Sequence, residues 1–272
     1  MLLSICIYYY LKKYQGEKIR VKYYLANKCR FCKSADLELV LPLAPSPICD
    51  QYLSEKKFQE IFPLDLYLCL ECGLSQIKCV VNPEHIYVDY IYQTTSSSGL
   101  VNHFKDYSED VVNSINGESI QSVLDIGSND GTLLKFFKKK GLNVLGVEPA
   151  QQIASIANNS GINTIADYFN KETAELILKT YGLFDAITIN NLFANIDNVD
   201  EFVKPIKTIL SKNGVVIIES AYLGDMFKNI MFDFIYHEHL SCISILPLEA
   251  FFKKYKMKLI DIQLVSTKGG SM

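Results

Sequence analysis

Three constellations of residues in this 272-residue chain have the types and spacing that chemistry requires, and the cysteines are the plainest. Cys29 and Cys32, then Cys69 and Cys72, form two C-x-x-C pairs. Two thiolates from each of two tight turns make a tetrahedral set for Zn2+, and Gly73 after the second pair suits a knuckle turn. Four cysteines leave no open coordination position, so the expected ion is structural. A disulfide framework would need an oxidising compartment, and buried free thiols or redox chemistry are the other readings. Cys6, Cys49, Cys79 and Cys242 lack such partners and read as ordinary apolar residues.

A second constellation lies in S-V-L-D-I-G-S-N-D-G-T-L-L-K-F-F-K-K-K-G-L-N-V-L-G-V-E-P-A, Ser122 to Ala150. Gly127 and Gly131 allow backbone to approach a ligand closely, but their spacing is not G-x-G-x-x-G and no Gly-Lys-Ser/Thr follows. Asp125 and Asp130 would repel a pyrophosphate, yet they suit the ammonium and sulfonium region of S-adenosylmethionine. Glu148 is placed to accept both ribose hydroxyls. The pattern resembles the first two motifs of class I methyltransferases. Asp167, followed by Tyr168 and Phe169, would hold and stack an adenine. Asn190 and Asn191 would line the cleft beside the methyl donor, or simply form a turn.

The third constellation is F-D-F-I-Y-H-E-H-L-S-C-I-S, residues 232–244. His237 and His239 flank Glu238, with Tyr236 just before them. Neutral imidazole is the usual general base near pH 7, and an adjacent carboxylate or phenol can orient it. H-E-H lacks the i, i+4 spacing of a zinc protease, and its histidines share one face if the segment is extended. A surface or capping role is the alternative. Tyr87, Tyr90 and Tyr92 precede a Thr/Ser run, which reads as a linker with aromatic anchors or as a loop facing a sugar or base.

These residues need a scaffold. Val123, Leu124 and Ile126 make a short apolar run that suits a buried parallel strand, and Leu133, Leu134, Phe136 and Phe137 recur at helical spacing. Asn143–Val147 reads as the next strand. Helix over about 151–158, strand near 163–165, strand over 184–189, helix over 201–210 and strand over 214–219 continue the alternation. Leu37–Leu43 and Phe62–Leu68 read as strands around the cysteines, and His103–Ile115 as a helix. The expected fold is α/β, a doubly wound and mostly parallel sheet preceded by a small β-rich zinc module. With 49% hydrophobic residues the chain can bury a core, and a net charge of −3 argues against a general nucleic-acid binder. No tryptophan is present, but 17 Tyr and 15 Phe supply stacking surface. Met1–Leu11 is apolar but too short to span a bilayer, and it lacks the charge order and cleavage site of an export signal.

Taken together, the motifs resemble the sugar C-methyltransferases that act on nucleotide-linked keto-deoxysugars. The resemblance covers about residues 27–272. It rests on C-R-F-C, C-L-E-C-G-L, the Y-x-D-Y-x-Y loop, D-I-G-S-N-D-G-T-L-L, G-V-E-P-A, N-N-L-F-A-N and I-Y-H-E-H. It implies an N-terminal extension over 1–26, a zinc-binding and substrate-loop module over 27–98 and a methyltransferase domain over 99–272. It implies S-adenosylmethionine and structural zinc as cofactors, a nucleotide-linked sugar as substrate, no nucleic-acid partner, no membrane span and a cytoplasmic setting. His239 is then the expected base with Tyr236 and Glu238 beside it, while Tyr90, Tyr92 and His237 are the substrate-binding candidates. Two departures stand out. Asn195 replaces the histidine of the N-x-x-A-H pattern, and the chain stops at K-G-G-S-M, where the family continues into a further domain, so truncation is expected. The alternatives are methylation of oxygen or nitrogen on another small molecule, or a non-catalytic remnant that binds S-adenosylmethionine and zinc.

Overall fold

The computed structural model describes residues 22–49, 53–87, 92–114 and 120–272; Tyr90 and Met1–Leu11 lie outside the described residues. Five short strands come first: β1 (Tyr23–Leu25), β2 (Leu37–Leu41), β3 (Leu66–Cys69), β4 (Ser75–Ile77) and β5 (Cys79–Val81). β2, β3 and β4 form an antiparallel meander, and β1 pairs with β5. β1 thus belongs to the paired structure although it lies within the stretch expected to be an extension. β3 starts at Leu66 rather than Phe62, because Phe62 exchanges two backbone hydrogen bonds with Ser46 instead.

Helices α1 (Pro83–Tyr87) and α2 (Ser98–Ser114) lead to the large sheet. α2 begins five residues before the expected His103, at Ser98, and its first turn already buries Leu100. The alternation then runs β6 (Ser122–Ile126), α3 (Thr132–Lys139), β7 (Asn143–Val147), α4 (Gln151–Asn159), β8 (Thr164–Ile165), α5 (Lys171–Tyr181), β9 (Phe184–Asn190), α6 (Val199–Ile209), β10 (Leu210–Glu219). α5 is absent from the sequence reading. It is capped by Asn170, whose side chain accepts from the Thr173 backbone N–H, and buries Ala174 and Ile177. The order β10-β9-β6-β7-β8, parallel throughout, is doubly wound as expected. Its direction reverses between β6 and β9, which opens a crevice at their carboxyl ends.

After β10 come α7 (Leu223–Lys228), β11 (Ser241–Cys242) and α8 (Ile245–Lys253). β11 does not join the large sheet. It pairs antiparallel with β4, so the smaller sheet runs β11-β4-β3-β2 and crosses the expected limit at residue 98. The two parts also share a core. Phe31, from between the first two cysteines, is 1% exposed and stacks on Phe251 of α8 at 4.6 Å, with Phe193 at 6.1 Å. Such aromatic packing adds to the hydrophobic gain of burial. Among the described residues, no helix is long and apolar enough to cross a membrane.

Candidate active site

The turn after β6 is shaped by its glycines. Gly127 and Gly131 have φ of +79° and +75°, where a side chain is strained, and a Cβ on Gly127 would come 3.0 Å from Leu192 Cδ2. The turn is pinned to the neighbouring strand, as Gly127 and Ser128 both donate their backbone N–H to the Val147 carbonyl. Asp125 and Glu148 close it from below. Asp125 is 4% exposed and accepts from Thr188 Oγ1 at 2.7 Å; burial pushes its pKa up to about 7. Glu148 accepts from the backbone N–H groups of Asn129 and Ala150, and burial raises its pKa too. Asn190, at the end of β9, buries both amide atoms, and the buried Tyr107 hydroxyl of α2 faces them. Buried amide and hydroxyl groups beside a carboxyl group that an adjacent cation would ionise suit an ammonium-bearing ligand.

Asp130 departs from its expected role at the cofactor. One oxygen accepts from the backbone N–H and hydroxyl of Thr132, capping α3, and the other from the N–H and hydroxyl of Thr95. These bonds hold its pKa below the usual range despite burial. Asn129 receives Thr94 in the same way and donates to the Tyr92 carbonyl. The Thr/Ser run is therefore docked on the turn, with its first hydroxyls used there rather than facing a sugar. Tyr92 lies over Asp130, and its phenol pKa is raised by burial and by that carboxylate. Asp167 is exposed and accepts from the Tyr168 N–H; Tyr168 lies near Glu148, and burial raises its phenol pKa.

The segment around His239 folds as turns, so its two histidines point to different places rather than sharing a face. His237, 1% exposed, donates through Nε2 to the carbonyls of Phe62 and Pro63, inside the smaller part of the molecule. That placement contradicts a substrate-binding role for His237. His239 Nδ1 lies 2.9 Å from the Phe234 carbonyl, and a carbonyl can only accept. Nδ1 therefore carries the proton and Nε2 keeps its lone pair, 3.0 Å from the Tyr236 hydroxyl. Burial lowers the His239 pKa to about 4, so the ring is neutral at pH 7.

A chain of interacting charges links this base to the turn. Lys268 influences His239, Glu238 and Glu219, and Glu219 and Asp125 both influence Tyr107. Glu219, at the end of β10, also accepts from Thr267 Oγ1 at 2.9 Å and pairs with His103 at 2.6 Å. Neither His103 nor Glu219 belongs to a motif that marks it in the sequence; a carboxylate ending a fifth strand is the one available signal. Asn195 sits in the turn Phe193–Asn195 that follows β9.

The four paired cysteines converge. Their sulfurs lie within 4.8 Å of one another, with Cys29–Cys72 at 3.5 Å and Cys32–Cys69 at 3.4 Å. Tetrahedral zinc with bonds of about 2.3 Å separates sulfurs by about 3.8 Å, so the donor set fits this ion. Both knuckles turn alike: Lys33 and Gly73 follow them at φ of +67° and +78° and donate to the Cys29 and Cys69 carbonyls.

Comparisons with known proteins agree with this division. Residues 29–87 match a family model described as "Putative zinc binding domain", and residues 95–261 match one described as a methyltransferase domain. The chain is 28% identical over 249 residues to the C-methyltransferase NovU of Streptomyces niveus; the match covers 90% of this chain and 59% of that relative's length. Among solved structures, it is similar to the plantazolicin methyltransferase BpumL in complex with a monoazolic desmethylPZN analog and SAH, at 16% identity. The TM-score is 0.48, with 60% of this chain and 66% of that chain covered. A SAM dependent methyltransferase from Archaeoglobus fulgidus is 18% identical, with a TM-score of 0.45 and coverage of 60% and 71%.

Proposed function

This chain belongs to the methyltransferase domain family, with a zinc-binding module ahead of that domain, and on this premise we propose that it transfers a methyl group from S-adenosylmethionine to a sugar carbon. The substrate we propose is a nucleotide-linked keto-deoxysugar. The observation that carries the carbon-acid reading is His239, neutral and half-buried, with its proton fixed on Nδ1 and its Nε2 lone pair toward the Tyr236 hydroxyl. Methylation of oxygen or nitrogen has less need of such a base.

Asp125 and Asn190 would hold the amino-acid end of the cofactor, Gly127 and Gly131 would let the backbone approach it, Glu148 would accept the ribose hydroxyls, and Asp167 with Tyr168 would meet the adenine. S-adenosylmethionine supplies an electrophilic methyl group. His239 Nε2 takes the proton from the carbon beside the sugar's keto group. The electron pair left on that carbon forms the new bond to the methyl, while the methyl–sulfur bond breaks and its pair stays on sulfur. The Tyr236 hydroxyl, released from Nε2, donates to the developing oxyanion, where a buried donor is worth most. Glu238 balances the charge that His239 acquires, against the opposing field of Lys268, and Tyr92 is the sugar-facing phenol. Cys29, Cys32, Cys69 and Cys72 would hold a structural zinc ion that ties the module together.

The test uses His239→Asn and a panel of nucleotide-linked 4-keto-6-deoxysugars. The variant is expected to bind S-adenosylmethionine with near-normal affinity, yet to lose both turnover and deuterium wash-in at the carbon beside the ketone. Retained wash-in would pass the role of base to another group, and wash-in absent from the parent on every sugar would sink the carbon-methylation reading.

A further inference from the structure

We propose that Arg30, the second residue of the first knuckle, is a positioning residue for His239. This rests on reading His239 as the base. Arg30 is 3% exposed, and its guanidinium spans three parts of the molecule. Nη1 donates to the Ile77 carbonyl in β4 at 2.7 Å and to the Leu240 carbonyl, directly after His239, at 3.1 Å. Nε donates to Asp197 Oδ1 at 3.1 Å, in the loop beyond β9. Asp197 in turn accepts from the Tyr24 hydroxyl of β1.

The knuckle that carries Arg30 is itself fixed. The Arg30 backbone N–H donates to Gln76 Oε1 at 2.9 Å, Gln76 Nε2 donates to the Lys28 carbonyl, and the Arg30 carbonyl accepts from Lys33 Nζ. Leu240 thus has two donors from the smaller part, Arg30 and the Ile77 N–H, before β11 continues the pairing. The strand register of β11 is only two residues long, too short to set the attitude of the turn before it. A planar fork that reaches Leu240, β4 and Asp197 together sets it instead. Lysine, a single ammonium on a flexible stem, can meet the two carbonyls but not all three sites in the same geometry.

The experiment uses the full zinc-loaded chain with 15N-labelled histidine, resonances being assigned with His239→Asn. The His239 Nδ1 proton, held by Phe234, is read by its solvent-exchange rate, alongside zinc content and S-adenosylmethionine affinity. Arg30→Met is expected to keep one zinc and bind the cofactor within threefold of the parent, while the Nδ1 proton exchanges at least tenfold faster. Arg30→Lys is expected to restore most of the protection. Unchanged exchange in Arg30→Met would overturn the proposal. So would loss of zinc or folding in both variants, which makes Arg30 a folding residue. If instead His239→Asn keeps sugar deuterium wash-in, the base assignment falls while the exchange result still reports whether Arg30 holds the ring.

Discussion

The cofactor turn and the segment carrying His239 are built in opposite ways. The turn closes largely on near neighbours: Val147, Glu148 and Thr132 satisfy it, and its more distant supports are Thr188 and the Thr94–Thr95 pair 35 positions upstream. The His239 segment is folded by short-range bonds within 232–240, but its attachment to the rest of the molecule is remote in sequence. It is held by Phe62, Pro63, Ile77 and Arg30, the last 210 positions away, all in the smaller part. A motif can therefore announce a cofactor site from a short stretch of sequence, whereas a base whose aim depends on remote backbone cannot be located by its motif alone.

The largest expected effect comes from breaking the one core that both regions share. Phe31→Ala removes the ring stacked on Phe251 and should cost about 3 to 5 kcal/mol in denaturant unfolding. An equal loss spread over the smaller part alone, with the large sheet unmoved in hydrogen exchange, would show that the two cores are independent.

Acid should separate the regions by sign. His239, with a pKa of about 4 against an ordinary 6.5, binds fewer protons folded than unfolded. Its contribution is complete above about pH 6.5 and is lost as pH falls toward 4, amounting to about 3 kcal/mol. Asp125, at about 7 against an ordinary 3.8, runs the other way, and its penalty is relieved as pH falls through that interval. Amides over 232–242 should therefore lose protection between pH 7 and pH 5 relative to those over 123–132, once intrinsic rates are corrected. Parallel changes in both stretches would erase the contrast.

Much of the scaffold is legible in the sequence because its signals are local. Val123–Ile126, Asn143–Val147 and the C-x-x-C pairs announce themselves by apolar runs or by spacing. Asp130 is misleading, since it looks like a ligand residue until Thr95 is brought against it from another element. His237 is placed by turns and by the carbonyls of Phe62 and Pro63, which lie far from its own motif. β11 is two residues long and escapes any periodicity, and the apolar residues of α5 do not share one face: Ala174 and Ile177 are buried while Leu176 and Leu178 are exposed.

A smaller effect sharpens the account of the turn. If Asp125 must be ionised to hold the cofactor's ammonium, S-adenosylmethionine should bind about tenfold more weakly at pH 6 than at pH 8, the change in ionised fraction for a pKa of about 7. Asp125→Asn should flatten that dependence. Calorimetric titration at the two pH values reads both.

The separation of a self-sufficient cofactor turn from a base aimed by the zinc module is tested most directly by making the module lose its ion. Cys69→Ser removes one of the four thiolates, and zinc content, S-adenosylmethionine affinity and deuterium wash-in on the accepted sugar are measured on one preparation. The account predicts a chain that has lost its zinc, binds the cofactor within threefold of the parent and exchanges the sugar proton at least a hundredfold more slowly. Full exchange without zinc, or cofactor binding that disappears together with exchange, would contradict it.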